Sequence, residues 1–408
     1  SEAQLADSLK FLSSLLFEHF GRPAYILIDE YDTAVNNILE NNFLKQGEAK
    51  ENAKEFMHHA ITSISNMLKP CAKNEKSHVK LIVLTGITNT LVKELRSGAN
   101  NIHEHGVLEL NESGGNFAKY FGFSDAEVKE QILDKVFNGE FIRDKSGKSK
   151  YTILYNKLKY WYNGQVIGDD EIFTPSSIMR YFSSLQGYKA NIGEKTMKKM
   201  QFESYWGETG FASILANIAT TGISDQLLNK FKDIALDDSQ GVELEIPKHD
   251  KTNIYELIQK DQTDIDKIVI YLLIKSGYLS RVLGAQDKFK LPAREAQYAF
   301  KQNILKYWLA KQVGEENVQN LISVFLESME DHEKLAEKLN NLLPNLKYAQ
   351  ETEADFQGIM HAAAVLAELN KNSKLTHICR SEVQSLAGKR IDGLFTPISE
   401  KSNTIIYT

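Results

Sequence analysis

Two short apolar runs, each closed by polar residues, constrain the fold of this chain more than any other feature. Ala24-Tyr25-Ile26-Leu27-Ile28 ends in Asp29-Glu30-Tyr31-Asp32, and His78-Val79-Lys80-Leu81-Ile82-Val83-Leu84 ends in Thr85-Gly86. A continuous apolar run of this length predicts a strand buried on both faces, the environment of a parallel sheet. Leu5, Leu9, Leu12, Leu15, Leu16 and Phe20 precede the first run at helical spacing, stopped by Gly21-Arg22-Pro23, and a second helical pattern runs from Ala53 to Met67. Helix, strand, helix, strand is the signature of an α/β layer.

From about Asn116 the pattern turns mainly helical, with a turn at Tyr162-Asn163-Gly164 and a helix start at Thr174-Pro175-Ser176-Ser177. Ile265 to Ile274 and Arg294 to Trp308 read as helices. Between them, Gly277 to Val282 and Lys288 to Leu291 read as short strands, an order that resembles a winged helix. The amphipathic stretch Asn317 to Leu343 stops at Pro344, which places a domain boundary near residue 345. A helix from Thr352 to Leu369 and strands near Thr376–Glu382, Lys389–Phe395 and Asn403–Tyr407 follow.

The 408 residues carry 48 Lys+Arg against 54 Asp+Glu, a formal net charge of -6. That balance excludes the general footprint of a strongly basic nucleic-acid binder, so polynucleotide binding has to rest on a local site. No apolar run approaches the roughly 20 residues of a bilayer span, and Ser1-Glu2-Ala3-Gln4 does not open a targeting segment. Two cysteines, Cys71 and Cys379, exclude a disulfide-stapled scaffold and point to a reducing interior.

The sharpest chemical signal is Asp29-Glu30, an acidic pair at the C-terminal end of the first strand, where α/β folds bind ligands. In a nucleotide hydrolase such an Asp holds magnesium, usually through water, and the Glu orients the attacking water. The competing reading is a strand that ends in solvated carboxylates. Thr85 and Thr88 end the neighbouring strand, where a polar residue would meet the terminal phosphate or the water; a helix N-cap is the plainer reading of Thr88.

These landmarks resemble the bacterial and archaeal AAA-ATPase-like family that carries a C-terminal PD-(D/E)XK nuclease-like domain. In order they are Leu27-Ile28-Asp29-Glu30-Tyr31-Asp32, Thr85-Gly86-Ile87-Thr88, Ser97-Gly98-Ala99-Asn100-Asn101, Tyr120-Phe121-Gly122-Phe123, Trp161-Tyr162-Asn163-Gly164, Ser276-Gly277-Tyr278-Leu279 and Leu291-Pro292-Ala293-Arg294-Glu295. The resemblance implies an α/β fold with a P-loop-type, AAA-like parallel sheet core. It also implies a Gly-rich loop that cradles phosphates, with a Lys on them and a Ser or Thr on magnesium. That loop is not in these 408 residues; family members carry it upstream of the acidic box. Ser146-Gly147-Lys148-Ser149 contains only the last letters of the motif, since the earlier glycine would fall at Ile142, and a solvated turn is expected there. Asn89 stands where the family commonly has a basic residue.

At the other end, Glu382 and Asp392 match the first two acidic places of the nuclease core, which holds one or two divalent metals and uses a Lys to orient water. The third acid would fall at about Thr408 and no Lys follows, so this chain does not complete that site. A pair of strand-end carboxylates near Lys389 and Arg390 is the alternative. His103-Glu104-His105 offers at most two ligands on one side, and adjacent His58-His59 point apart on a helix. Trp161-Tyr162, Tyr205-Trp206 and Tyr307-Trp308 read as core or junction anchors.

The expectation is therefore an incomplete AAA-ATPase-like α/β domain over 1–185 and a mainly helical, winged-helix-like domain over 186–345. A partial PD-(D/E)XK-like α/β module over 346–408 completes it. The function expected is a degenerate or truncated ATPase-like and nuclease-like protein acting as an interaction module, within a bacterial effector or toxin. The alternative is a fragment of an ATPase-coupled, metal-dependent nuclease that is active only in the complete polypeptide. Catalytic remnants are Asp29, Glu30, Thr85 and Thr88 in the first site and Glu382 and Asp392 in the second. Metal would fall to Asp29, Glu382 and Asp392 only if those sites were completed. No cofactor is expected for this chain, with ATP and Mg2+ implied where a P-loop is present. The partners are a protein, and nucleic acid through the last module, without a membrane span. The compartment expected is bacterial cytoplasm, or host cytosol for a secreted effector.

Overall fold

The computed structural model describes residues 2–39, 48–72, 78–89, 91, 94–95, 102–103, 105–107, 120–136, 150–184, 202–205, 215, 222–236, 241–246, 264–285, 287–328, 331–342, 353–370, 377–384, 390–397 and 405–407. In chain order, α1 (Glu2–Phe20), β1 (Ala24–Ile28), α2 (Thr33–Ile38), α3 (Glu48–Ala72) and β2 (Val79–Leu84) come first. A π-helical segment, Glu127–Leu133, precedes α4 (Lys150–Tyr162), β3 (Asn163–Ile167), β4 (Asp170–Phe173), α5 (Pro175–Ser184), α6 (Asp225–Leu236) and β5 (Val242–Glu243). Then come α7 (Ile265–Lys275), β6 (Ser280–Arg281), β7 (Lys288–Lys290), α8 (Arg294–Val313), α9 (Glu315–Ser328), α10 (His332–Leu342) and α11 (Glu353–Asn370). The last elements are β8 (His377–Gln384), β9 (Arg390–Pro397) and β10 (Ile405–Tyr407). The result is a mixed α/β chain that is mostly helical with small sheets.

The chain divides into two compact units. The first gathers Ser1–Gly114, Thr220–Gly222 and Glu245–Ser276, and the second holds Gly115–Ala219, Ile223–Leu244 and Gly277–Thr408. These units differ from the boundaries drawn along the sequence, because the first collects α7 from far downstream.

In the first unit β1 and β2 pair in parallel, with Ala24 opposite Val79 and Ile28 opposite Leu84, as the two apolar runs predict. Ile26, Val79 and Cys71 of α3 are buried together, with Leu9 of α1, Ile28 and Ile82 packed against them. Each such aliphatic burial contributes about 1.5–3 kcal/mol. The opposite face corrects the expectation of strands buried on both sides. Tyr25 is 62% and Leu27 73% exposed, and Leu81 and Val83 are exposed beside them. Among the described residues α1 and α3 pack on the sheet, and the core they share with it uses the Ile26 face alone. The run is apolar at every position, so the sequence signals two coverable faces without showing which one is covered. The same correction applies to α1, which is a helix as expected but leaves Phe11, Leu12, Leu15, Leu16 and Phe20 exposed while Ser13 is buried.

The second unit is built around aromatic residues. Tyr162, Phe173 and Tyr181 are fully buried with Leu158, Ile178 and Phe202, and Tyr181 stacks on Phe202 at 4.7 Å between ring centroids. Tyr162 and Trp308 are core residues, as the sequence pairs imply, and Trp161 is partly buried on the same cluster; Trp206 lies outside the described residues. Four landmarks of the sequence meet here. Phe123 pairs with Phe173 as an antiparallel bridge. Gly164 adopts φ +119, and a Cβ there would lie 2.5 Å from the Pro292 carbonyl oxygen, so this position needs glycine both for its backbone and for the close approach. Gln165 Nε2 donates to the Gly277 carbonyl at 2.5 Å, and Val166 N–H donates to Ser280 Oγ at 2.8 Å. Those motifs are joints of the fold.

The helix, two short strands and helix expected around residues 265–308 are present as α7, β6, β7 and α8, with β7 central in an antiparallel sheet of order β5-β7-β6. The C-terminal strands form an antiparallel sheet of order β10-β9-β8.

Candidate functional site

The parallel register of β1 and β2 brings the two polar strand ends side by side. Thr85 N–H donates to the Ile28 carbonyl at 3.0 Å, and Tyr31 N–H donates to the Thr85 carbonyl at 3.2 Å, which extends the pairing one residue past each strand. This places Asp29 next to Thr85, and the Thr85 hydroxyl donates to Asp29 Oδ1 at 2.5 Å. Glu30 N–H donates to the same oxygen at 2.9 Å, leaving Oδ2 without a hydrogen bond among the described residues. Asp29, Glu30 and Thr85 are all exposed. Glu30 holds φ +50, a left-handed conformation uncommon for a residue with a side chain, and Thr33 Oγ1 lies 3.4 Å from its Oε2.

Thr88 lies elsewhere in this arrangement. It is 2% exposed, and its hydroxyl is held 2.7 Å from Asp32 Oδ2 and 3.0 Å from Asn36 Oδ1. Asp32 is 1% exposed, and its Oδ2 also accepts Ile87 N–H at 2.9 Å and Thr88 N–H at 2.5 Å. Tyr31 closes the same turn, its hydroxyl donating to the Thr88 carbonyl. A Cβ on Gly86 would come 2.5 Å from Asp32 Oδ1, so the turn after β2 is moulded on the Asp32 carboxylate. Asn89 is buried and accepts a hydrogen bond from the Tyr271 hydroxyl of α7 at 2.6 Å.

The acidic box thus contains two kinds of carboxylate. Asp29 and Glu30 face solvent at the strand end beside Thr85, and Asp32 is a buried lock that fixes the turn on which Thr85 sits. Asp32 was not singled out as a site residue by the sequence. The signal available was its spacing, since it follows Asp29 by three residues and directly precedes α2. An exposed carboxylate with one free oxygen, flanked by a hydroxyl, suits a water-mediated contact to a hard divalent cation.

The remaining candidates are scattered. Glu382 lies in β8 and Asp392 in β9, and the pairs Ser381 with Gly393 and Val383 with Ile391 bracket them at facing register positions. The 146–149 segment, Ser97 to Asn101 and Thr408 lie outside the described residues. His58 and His59 sit on α3 with ring centroids 6.3 Å apart, and among the described residues no group of three or more His, Cys, Asp or Glu could hold a metal ion. Cys71 is a buried free thiol whose pKa is raised by that burial. No described helix is long and apolar enough to cross a membrane.

Comparison with known proteins places this site inside a recognised segment. Residues 1–95 match the model of a family described as predicted AAA-ATPase. That match contains β1, β2, Asp29, Glu30, Asp32, Thr85 and Thr88. A stretch of 200 residues is 22% identical to an uncharacterized protein in the vnfD 5' region of Azotobacter chroococcum mcd 1. The aligned part covers 49% of this chain and 30% of that protein, so the chain spans less than a third of its relative's length. No solved structure matches.

Proposed function

We propose that this chain is an ATPase-like protein used as an interaction scaffold, and that Asp29, Glu30 and Thr85 form the acidic half of a nucleotide site. The observation that supports it is the contact of Asp29 with Thr85 at the ends of two parallel strands. In such a site magnesium neutralises charge developing on the phosphates. Asp29 would hold the ion through water, Glu30 would orient a water, and Thr85 fixes Asp29. Asp32 and Thr88 keep that strand end rigid without touching the ligand. The open sheet face, where Tyr25, Leu27, Leu81 and Val83 are exposed, agrees with a scaffold whose surface is completed by other polypeptide.

The exposed arrangement of Asp29, Glu30 and Thr85 also favours a second reading. Here the chain is part of an ATPase-coupled, metal-dependent nuclease active only in the complete polypeptide, with Glu382 of β8 and Asp392 of β9, on adjacent strands, as part of the second site. Phosphate release from Mg-ATP by the complete polypeptide separates the two. The scaffold reading expects no release above a protein-free blank. Turnover that disappears in Glu30→Gln would establish the enzyme.

A further inference from the structure

Helix α1 turns a broad apolar side outward. Leu9 packs on Ile26, Val79 and Cys71, and Ser13, one turn later on the same inner side, is 4% exposed with its hydroxyl donating to the Lys10 carbonyl at 2.8 Å. The outer side carries two adjacent rows, Phe11 and Leu15 at i and i+4, and Leu12, Leu16 and Phe20 at i, i+4 and i+8. Phe11 is 64%, Leu12 52%, Leu15 45%, Leu16 39% and Phe20 66% exposed. A surface helix ordinarily keeps its apolar stripe toward the core and its polar residues toward water, so α1 has a second apolar face that its own unit does not cover.

The size of that face sets what can occupy it. At about 200 Å² for a whole phenylalanine and somewhat less for a leucine, the five side chains leave about 500 Å² bare on one copy, the upper range for an isolated patch on a monomer. Two such faces set against each other remove about 1,000 Å² from water, the area at which a specific protein–protein interface begins. Polar side chains beside the rows add to that figure.

The charges on the same side of α1 fit a second copy of this chain. Asp7 stands one turn before Phe11 in the first row, and Arg22 follows the helix two turns beyond Leu15; both are exposed. They are equally far from the point between Ser14 and Leu15, about 11 Å on either side at 1.5 Å per residue. When two copies of α1 lie antiparallel about a two-fold axis at that point, each Asp7 meets the other copy's Arg22, so opposite charges close both ends of the apolar contact. Parallel pairing would set Asp7 on Asp7. Between residues 6 and 22, Asp7 and Glu18 balance Lys10 and Arg22, so the helix lacks the basic excess that draws an apolar face to an anionic lipid surface.

We infer that α1 is a dimerisation helix: its outer face packs antiparallel on the same face of a second copy, with Phe11, Leu12, Leu15 and Leu16 in the middle and an Asp7 to Arg22 pair at each end. The contact is isologous, so every side chain in it counts twice. It uses none of Asp29, Glu30 or Thr85, and it stands or falls independently of the nucleotide site.

Sedimentation equilibrium of the purified chain is the test. The expected result is a reversible monomer–dimer equilibrium with a dissociation constant of about 1–100 µM, as suits an interface at the small end of the range. Leu15→Glu places two unpaired charges in the contact and should weaken the dimer on the order of tenfold or more, whereas Met179→Glu, at an exposed apolar position on α5, should leave it unchanged. Asp7→Arg and Arg22→Asp should each weaken it several-fold, and the two together should restore it to within about twofold of wild type, because residue 7 of one copy then again meets an opposite charge at residue 22 of the other. All these positions are exposed, so the far-UV spectrum should not change. A wild-type chain that stays monomeric up to about 100 µM, a dimer that Leu15→Glu does not weaken, or a double variant no better than the single ones overturns the inference. Flotation with neutral and anionic phosphatidylcholine and phosphatidylserine vesicles is the second arm. A monomeric chain that floats, and that Leu15→Glu releases, assigns the face to a lipid surface and overturns the dimer.

Discussion

Replacing Asp32 by alanine removes one oxygen that holds three donors. Oδ2 accepts Ile87 N–H, Thr88 N–H and the Thr88 hydroxyl, and the residue is 1% exposed, so water does not replace it freely. The Thr88 hydroxyl still has Asn36 within 3.0 Å, but the two backbone donors lose their acceptor. The Thr88 N–H is the buried one and costs about 1–3 kcal/mol when orphaned, whereas exposed Ile87 can turn its N–H to water, so the loss is roughly 2–3 kcal/mol. Asp32→Asn keeps one acceptor oxygen and should lose about half as much. Trp161, Trp206 and Trp308 all lie outside the first unit, so tryptophan fluorescence does not read this change. Amide exchange of peptides covering 24–32 and 79–89 does. A loss under about 1 kcal/mol in Asp32→Ala would refute the view that this carboxylate moulds the turn.

Asp29→Asn and Glu30→Gln act at exposed carboxylates and should leave stability within about 0.5–1 kcal/mol of wild type by the same exchange measurement; a larger loss would make them structural partners. Glu295 binds its proton more tightly folded than unfolded, so its contribution to stability is complete below pH 4.5 and is lost as pH rises through about 7. Linkage sets the loss at about 3 kcal/mol, readable as a lower urea midpoint at pH 8 than at pH 5 by Trp161 and Trp308 fluorescence and absent in Glu295→Gln. With Mg2+ or Mn2+ present, the chain should not cut labelled single- or double-stranded DNA or RNA; cleavage that Asp392→Ala abolishes would reverse the reading of the last module.

The pairing of β1 with β2 was legible because two apolar runs with polar ends leave few alternatives to parallel strands around a helix. Which face they bury was not, because Tyr25 and Leu27 are as apolar as Ile26 and Ile28. Coverage depends on what packs there, and no local pattern encodes that. Asp29, Glu30 and Thr85 were proposed from strand ends, a signal that needs no tertiary knowledge, and the strand register sets Asp29 beside Thr85. Asp32 and Thr88 carry the same letters as their exposed neighbours, and only the tight turn around Gly86 separates a buried lock from a solvated pair. Glu295 stood inside a recognised run of residues, yet its burial against Ser177 and the Tyr205 backbone depends on α5 and the 202–205 segment coming together.

Isothermal titration calorimetry of the purified chain with Mg-ATP tests the scaffold account most directly. Asp29, Glu30 and Thr85 contact metal and water in the proposed site and supply no cradle for phosphates, so the expected result is no heat of binding at micromolar concentration. Micromolar binding that Asp29→Ala abolishes would contradict the account, because it would show that the phosphate-holding half of the site is present in these 408 residues.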